Sequence, residues 1–179
     1  MGKYKVCVYA ICKDEELFVR RWMDSMAEAD EICVLDMGSE DGTVERLRAL
    51  GAKVAVEPVP PWRLDEARNR ALNLVPLNTD ICVYVNLNER FHPGWRQKVE
   101  AAWAPGTTRL YCRYCWDAPS DDLTWAVSWV DRVHRRRGCQ WTDPVHAVLH
   151  FDGGEIGPRY AEDVVLKHSP AGCGSQRDR

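Results

Sequence analysis

The sequence predicts an α/β protein built on one mixed sheet flanked by helices, parallel in its N-terminal half and antiparallel in its C-terminal half. Over the first 85 residues or so, short β-rich runs alternate with segments of helical period, the pattern of a parallel sheet with crossover helices. Beyond a helix that opens at Pro93, three strand-like runs follow one another with no helix between them, so they are expected to pair antiparallel. An apolar run ending in an acidic, glycine-containing turn, Val34-Leu-Asp-Met-Gly-Ser-Glu-Asp-Gly-Thr43, places carboxylates at the carboxyl end of a parallel strand, where open α/β sheets bind ligands.

Each element has its own warrant. Tyr4–Ile11 is a short β-rich run and the first strand. Glu15–Ala27 carries Leu17, Phe18, Trp22 and Met26 at helical spacing. Glu31–Leu35 is the second strand. In the turn after it, Gly38 permits a tight bend, Ser39 is positioned to cap the next helix, and Asp41 is expected in that helix's first turn. Thr43–Leu50 is the second helix, with Gly51 at the position that ends it. Ala52–Val56 is the third strand, and Pro58, Pro60 and Pro61 then break regular structure. Leu64–Leu74 is helical and stops before Pro76. Asp80–Val85 is almost wholly apolar, as expected for a strand covered on both faces. The helix from Pro93 to about Ala102 uses Trp95, Val99 and Trp103 as its apolar positions. Thr107–Trp116, Thr124–His134 and Val145–Phe151 are the later strands. The Gly/Ser/charge-rich segment 171–179 is expected to be disordered.

Length and charge narrow the function classes. A chain of 179 residues favours one domain, expected over 1–170, and one that buries roughly 70% of its unfolded surface. Lys and Arg total 24 against 27 Asp and Glu, a net charge of −3, which argues against nucleic acid as a bulk electrostatic partner. No apolar run approaches the roughly 20 residues that span a bilayer, and the N-terminus does not read as a signal peptide. Eight cysteines are present, but Cys7, Cys12, Cys33 and Cys82 fall in apolar, strand-like runs where a free thiol behaves as a small hydrophobe. A cytoplasmic, reduced chain is the expectation. Cys112-x-x-Cys115 has metal-like spacing without a second pair nearby, so zinc is not expected there.

The acidic turn, with several blocks in the same order along the chain, resembles the family-2 glycosyltransferases. Those blocks are Ile11-Cys-Lys-Asp-Glu-Glu16, Pro61-Trp-Arg-Leu-Asp-Glu-Ala-Arg-Asn69 of one bacterial branch, Asn86-Leu-Asn-Glu89 followed by Pro93-Gly-Trp95, Trp141 with Pro144-Val-His146, and Leu166-Lys-His168. The resemblance covers about residues 5–170 and implies a GT-A, Rossmann-like fold, with a nucleotide-binding half over 1–90 and an acceptor half over 91–170. It implies transfer of a hexose from a UDP-sugar donor to a hydroxyl of a glycan, lipid-linked or peptide acceptor, with inversion, and a divalent cation, Mn²⁺ or Mg²⁺, on the donor diphosphate.

By that resemblance, Asp36 would hydrogen-bond the uracil or ribose, with Asp41, Glu15, Arg68, Asn69, Asn86 and Asn88 beside it around the nucleotide. Asp36 also reads as a turn residue, and Asp41, Glu15 and Glu16 equally as helix-start residues. Arg68 would suit uracil or diphosphate oxygens, with Asp65 one turn earlier to orient it. Asn88, Glu89 and His168 would surround the metal. Trp62 and Trp141 are candidates for sugar stacking. The basic run His134-Arg-Arg-Arg137 reads either as a clamp on an anion or as a solvated hairpin turn.

Two departures stand out. Where the family has Asp-x-Asp, this chain has Asn86-x-Asn88, which brings no negative charge, so a weakened metal site is expected. After Pro-Val-His the branch often has Glu, and here it is Ala147. The base that takes the acceptor proton is therefore sought among His146, Asp143, Glu162 and Asp163. The same departures define an alternative: a degenerate, non-catalytic nucleotide-binding relative. A sugar-nucleotide pyrophosphorylase is disfavoured, since residues 8–16 contain no Gly to cradle phosphates.

Overall fold

The computed structural model describes residues 2–60, 63–116, 127–154 and 159–168. Trp62, Thr124 and the tail 171–179 lie outside the described residues.

The N-terminal half follows the expected alternation: β1 (Val6–Cys12), α1 (Glu16–Met26), β2 (Glu31–Asp36), α2 (Thr43–Ala49), β3 (Lys53–Val56), α3 (Leu64–Leu74) and β4 (Ile81–Tyr84). β1 pairs in parallel with β2 on one side and β4 on the other, and β2 with β3. Every residue of β1 and β4 is buried, as continuous apolar strands between two layers must be. Gly38 and Gly51 adopt the left-handed conformation their turns require, at φ +95 each.

The second half contains β5 (Glu89–Phe91), α4 (Trp95–Ala102), β6 (Arg109–Cys115), β7 (Val127–Arg135), β8 (Cys139–Thr142), β9 (Val148–Phe151) and β10 (Arg159–His168). Eight strands form one mixed sheet in the order β3-β2-β1-β4-β7-β6-β10-β5. β7 is antiparallel to β6, as expected, and also to β4, while β10 inserts parallel to β6 and antiparallel to β5.

The expected strand Val145–Phe151 is shorter, starting at Val148, and does not join the main sheet. It pairs with β8 as a separate hairpin. β5, β8 and β10 have no counterpart in the sequence reading. β5 has only three residues. β10 carries Glu162 and Asp163 at a bulge, where the register with β6 shifts between Ala161 and Val165, so its apolar alternation is interrupted.

Two cores lie on opposite faces of the sheet. One joins Val6, Val8 and Val83 to Val19, Trp22 and Met26 of α1, Leu47 of α2, and Trp95 and Val99 of α4. The other joins Tyr9, Leu35 and Tyr84 to Ala67, Ala71 and Leu72 of α3, and to Trp141 and Leu149 of the hairpin. Six of the seven described cysteines are buried, and all seven are free thiols. At one edge of the sheet, the Ser25 hydroxyl of α1 donates to the Phe91 carbonyl of β5 at 3.2 Å and accepts the Phe91 N–H at 2.9 Å.

The second core contains a directional polar chain. Trp141 Nε1–H donates to the Tyr9 hydroxyl at 2.8 Å, and Tyr9 donates to His134 Nε2 at 2.8 Å. His134 Nδ1–H donates to the Arg135 carbonyl at 2.8 Å. Every donor has an acceptor, so the imidazole is neutral with its proton on Nδ1. Burial pushes its pKa down to about 4.

Candidate functional site

The helices after β1 and β2 cover one face of the sheet and the helix after β3 covers the other, so the strand order reverses between β1 and β4. At the carboxyl ends of these strands lies a crevice of about 390 Å³, the position at which doubly wound sheets bind ligands. Its walls are Ile11, Cys12, Lys13 and Glu15 at the exit of β1, Met37 after β2, Leu64 and Arg68 of α3, and Tyr84, Asn86 and Asn88 at the exit of β4. Of the expected nucleotide-binding residues, Glu15, Arg68, Asn86 and Asn88 line this crevice, and Lys13 of the Ile11–Glu16 block, to which no role was assigned, joins them.

The acidic turn is a self-contained structure. Asp36 is fully buried. Its Oδ1 accepts the N–H groups of Gly38 at 3.0 Å and Ser39 at 2.9 Å, while Oδ2 accepts the Ser39 hydroxyl and the Cys12 thiol. Four donors fill the lone pairs of one carboxylate. Ser39 does not cap α2: its Oγ accepts the N–H of Asp14, a residue held at φ +53. The capping carboxylate is Asp41, which precedes α2 rather than lying in its first turn. Asp41 accepts from Thr43 N–H at 3.0 Å and from the Thr43 hydroxyl, and from Glu16 N–H at 3.1 Å. It thus ties the N-termini of α1 and α2 together. Burial works against its charge, but the bonds from Thr43 and Glu16 prevail and its pKa is lowered.

Glu15 sits beside this turn. Burial foremost, then the Asp41 and Glu89 carboxylates, pushes its pKa up to about 7.

Arg68 lies over the rings of Tyr84 and Trp141, with Cζ 4.4 and 4.7 Å from their centroids, and donates from Nη1 to the Ala147 carbonyl at 3.1 Å. Asp65 does not orient it. That carboxylate pairs with Arg63 at 2.7 Å, and stacking fixes Arg68 instead. Asn69 does not line the crevice. Its amide binds the backbone of Trp141 at both ends, Nδ2 to the carbonyl at 2.8 Å and Oδ1 from the N–H at 2.9 Å. Trp141, a candidate for sugar stacking, is a buried β8 residue at 2% exposure and offers no face to a sugar.

Residues Asn86 to Glu89 form a tight turn between β4 and β5, closed by Glu89 N–H to the Asn86 carbonyl at 3.0 Å. Asn86 Oδ1 accepts the Tyr84 hydroxyl at 2.8 Å. Asn88 and His168 meet, Nδ2 to Nε2 at 3.2 Å, because β10 ends beside β5. Glu89 points away from them. Only 2% exposed, it receives Arg132 Nη2 at 2.8 Å, the Tyr114 hydroxyl at 3.0 Å and Asn86 N–H at 2.9 Å. Arg132 was absent from the sequence reading. A bulge shifts β7 against β6 between Leu110 and Cys112, beside Arg132, whose Cζ lies 5.5 Å from the Tyr84 centroid.

These residues do not fit a divalent cation of the hard-oxygen kind. Glu89 is neutralised by a guanidinium, two carboxylates of the usual motif are amides, and only the unpartnered Oδ1 of Asn88 and the imidazole of His168 remain. No group of three or more His, Cys, Asp or Glu among the described residues is placed to hold a metal.

The base candidates separate. His146 and Asp143 are exposed in the β8–β9 loop, where Asp143, at φ +77, accepts from the N–H groups of Val145 and His146 at 2.9 and 2.8 Å. This loop borders the crevice, because the Pro144 carbonyl accepts Leu64 N–H and the Ala147 carbonyl accepts Arg68. Glu162 and Asp163 lie elsewhere, on the bulge of β10 facing α4. The basic run is also remote: Arg136 and Arg137 donate to the Val75 and Leu77 carbonyls, at the amino end of β4.

No family model matches the sequence. Among solved structures, the chain is similar to glucosyl-3-phosphoglycerate synthase from Mycobacterium tuberculosis in complex with Mn²⁺ and uridine-diphosphate-glucose, at 26% identity and TM-score 0.52, over 63% of this chain and 44% of that one. It is also similar to a mycobacterial protein at 19% identity and TM-score 0.63, over 94% of this chain and 68% of that one. A mannosyltransferase from Pyrobaculum calidifontis in complex with GDP-Man and Mn²⁺ matches at 20% identity and TM-score 0.51, over 68% of this chain and 38% of that one. The last two likenesses establish fold alone. The chain has the GT-A-type fold of glycosyltransferases and spans less than half the length of the synthase it matches. No helix among its described residues is long and apolar enough to cross a membrane.

Proposed function

We propose that this chain is a glycosyltransferase domain that binds a nucleotide sugar, with UDP as the nucleotide, and transfers the hexose to an acceptor hydroxyl with inversion. The observation that carries the reading is the crevice at the β1/β4 switch point. It is lined by Glu15, Lys13 and Arg68 in a fold shared with enzymes solved with UDP-glucose and GDP-Man. In this reading residues 1–170 form one domain, working in a reducing cytoplasm on a glycan, lipid-linked or peptide acceptor.

Each residue has a chemical task. The Glu15 carboxylate accepts from ribose hydroxyls or the uracil N–H. Asp36 and Asp41 act at one remove, by building the turn that forms one wall. Arg68 presents a planar fork to the diphosphate. The acceptor oxygen attacks the anomeric carbon from the face opposite the diphosphate as the carbon–oxygen bond to that group breaks. His146, on the loop that borders Arg68, takes the hydroxyl proton, with Asp143 shaping the loop. Arg68 stabilises the charge that develops on the departing diphosphate.

The alternative reading, a nucleotide-binding relative without turnover, draws on one observation. The place of the branch's carboxylate is Ala147, whose carbonyl is taken by Arg68. Calorimetric titration with UDP, UDP-glucose and NAD, followed by an assay of UDP release from UDP-glucose, separates the readings. UDP binding with sugar turnover supports the transferase, and UDP binding without turnover supports the relative. NAD binding in the absence of UDP binding would exclude both.

A further inference from the structure

The carboxylates next to the crevice, Asp36, Asp41 and Glu89, are already engaged, and Glu15 is the one carboxylate among its lining residues. Asp36 accepts four donors, and Asp41 accepts three from Thr43 and Glu16. Glu89 accepts Arg132, Tyr114 and the Asn86 N–H. Asn86 Oδ1 is held by Tyr84. The ring of Tyr84 meanwhile carries two guanidinium groups, Arg68 at 4.4 Å and Arg132 at 5.5 Å. A divalent ion brought here would find one carboxylate, Glu15, among neutral ligands and two guanidinium cations.

Arg68 differs from Arg132 in having no ion pair among the described residues. Its Nε is buried without an acceptor, a donor that folding has left unmet. Lys13 is exposed on the same rim.

We propose that the crevice binds a nucleoside diphosphate without a divalent cation. Arg68 and Lys13 supply the positive charge, and the Glu89–Arg132 pair stands where an ion would otherwise be held. This rests on the nucleotide-sugar reading of the crevice. The guanidinium fork meets two phosphate oxygens at once, and the ammonium acts as a point charge at the mouth.

The test is calorimetric titration of the full chain with UDP, in EDTA and in Mn²⁺, with uridine as the ligand lacking phosphates. UDP affinities equal within about twofold in the two buffers are expected. Tightening by Mn²⁺ of about tenfold or more overturns the proposal while leaving the nucleotide reading intact. No binding of UDP in either buffer overturns the nucleotide reading and this proposal with it.

Arg68→Gln is expected to weaken UDP binding by about tenfold or more in EDTA and to leave uridine unchanged. Equal losses for both ligands would show that Arg68 acts on the nucleoside, and would overturn its assigned part. Lys13→Gln, at an exposed position that does not endanger folding, is expected to weaken UDP several-fold in both buffers. An unchanged UDP affinity there would remove Lys13 from the site.

Discussion

Arg132 Nη2 lies 2.8 Å from Glu89 Oε1, and this contact closes the one carboxylate that the β4–β5 turn retains. The Glu89 side chain is 1% exposed and that of Arg132 is 15%. Removing either partner strands a buried charge. Arg132→Met and Glu89→Ala are each expected to lower the urea midpoint by an amount equivalent to about 3–5 kcal/mol. Arg132→Met also frees a carboxylate, so Mn²⁺ affinity should rise in that variant. A variant that keeps its midpoint would show the pair to be dispensable.

Asp36 offers a contrast between architecture and recognition. Asp36→Ala leaves the N–H groups of Gly38 and Ser39 without their acceptor, at about 1–3 kcal/mol for each buried group left unmet. A thermal melt should show a loss of several degrees with no ligand present. An unchanged melting temperature coupled with lost UDP affinity would mean that the carboxylate serves the nucleotide directly.

His134 makes the fold sensitive to acid. Its folded pKa, about 4, is below the ordinary value of 6.5, because burial disfavours the charged ring. The unfolded chain therefore binds the extra proton first. The stability this group contributes is complete above pH 6.5 and is lost as pH falls from 6.5 towards 4, in total on the order of 3 kcal/mol. Denaturation midpoints measured across that range should fall in the wild type and flatten in His134→Gln.

Glu15 works with the opposite sign. Its folded pKa, about 7, exceeds the ordinary 4.5, so the native state holds its proton more tightly. Stability declines as pH rises from 4.5 to 7, and the penalty persists above that. Glu15→Gln is expected to gain about 1 kcal/mol at pH 8, a figure discounted for partial exposure, and nothing at pH 4. For a chain of this size that is roughly 2–4 °C in melting temperature. Equal gains at both pH values would point to packing rather than charge.

Asn69 holds the small hairpin to α3 through two bonds to the Trp141 backbone. Asn69→Leu leaves both backbone groups unmet. It is expected to cost about 2 kcal/mol or more and to raise hydrogen exchange selectively at Trp141. Unaltered exchange at Trp141 would show the hairpin to be held by its apolar contacts alone.

The parallel half was legible because each of its elements announces itself locally. Leu64–Leu74 carries a helical period bounded by prolines, and Ile81–Tyr84 is apolar throughout. The later strands were less so. Periodicity cannot show that β10 returns beside β6, since a bulge and two acidic residues interrupt its pattern. It cannot show that Val148–Phe151 turns away to pair with β8. At the site, Glu15, Arg68, Asn86 and Asn88, singled out from motif positions, line the crevice wall. The partners that decide what those residues can do come from distant segments. Arg132, Tyr114 and the Ala147 carbonyl meet Glu89 and Arg68 only through sheet order.

The Ser25 hydroxyl has a wider consequence. It meets the outward N–H and C=O of Phe91 on the terminal strand, the groups another chain would need in order to extend the sheet. One side chain thereby does the work of a ninth strand. Ser25→Ala would unmask that border, and its first symptom would be self-association on concentration, visible by light scattering before any loss of secondary structure.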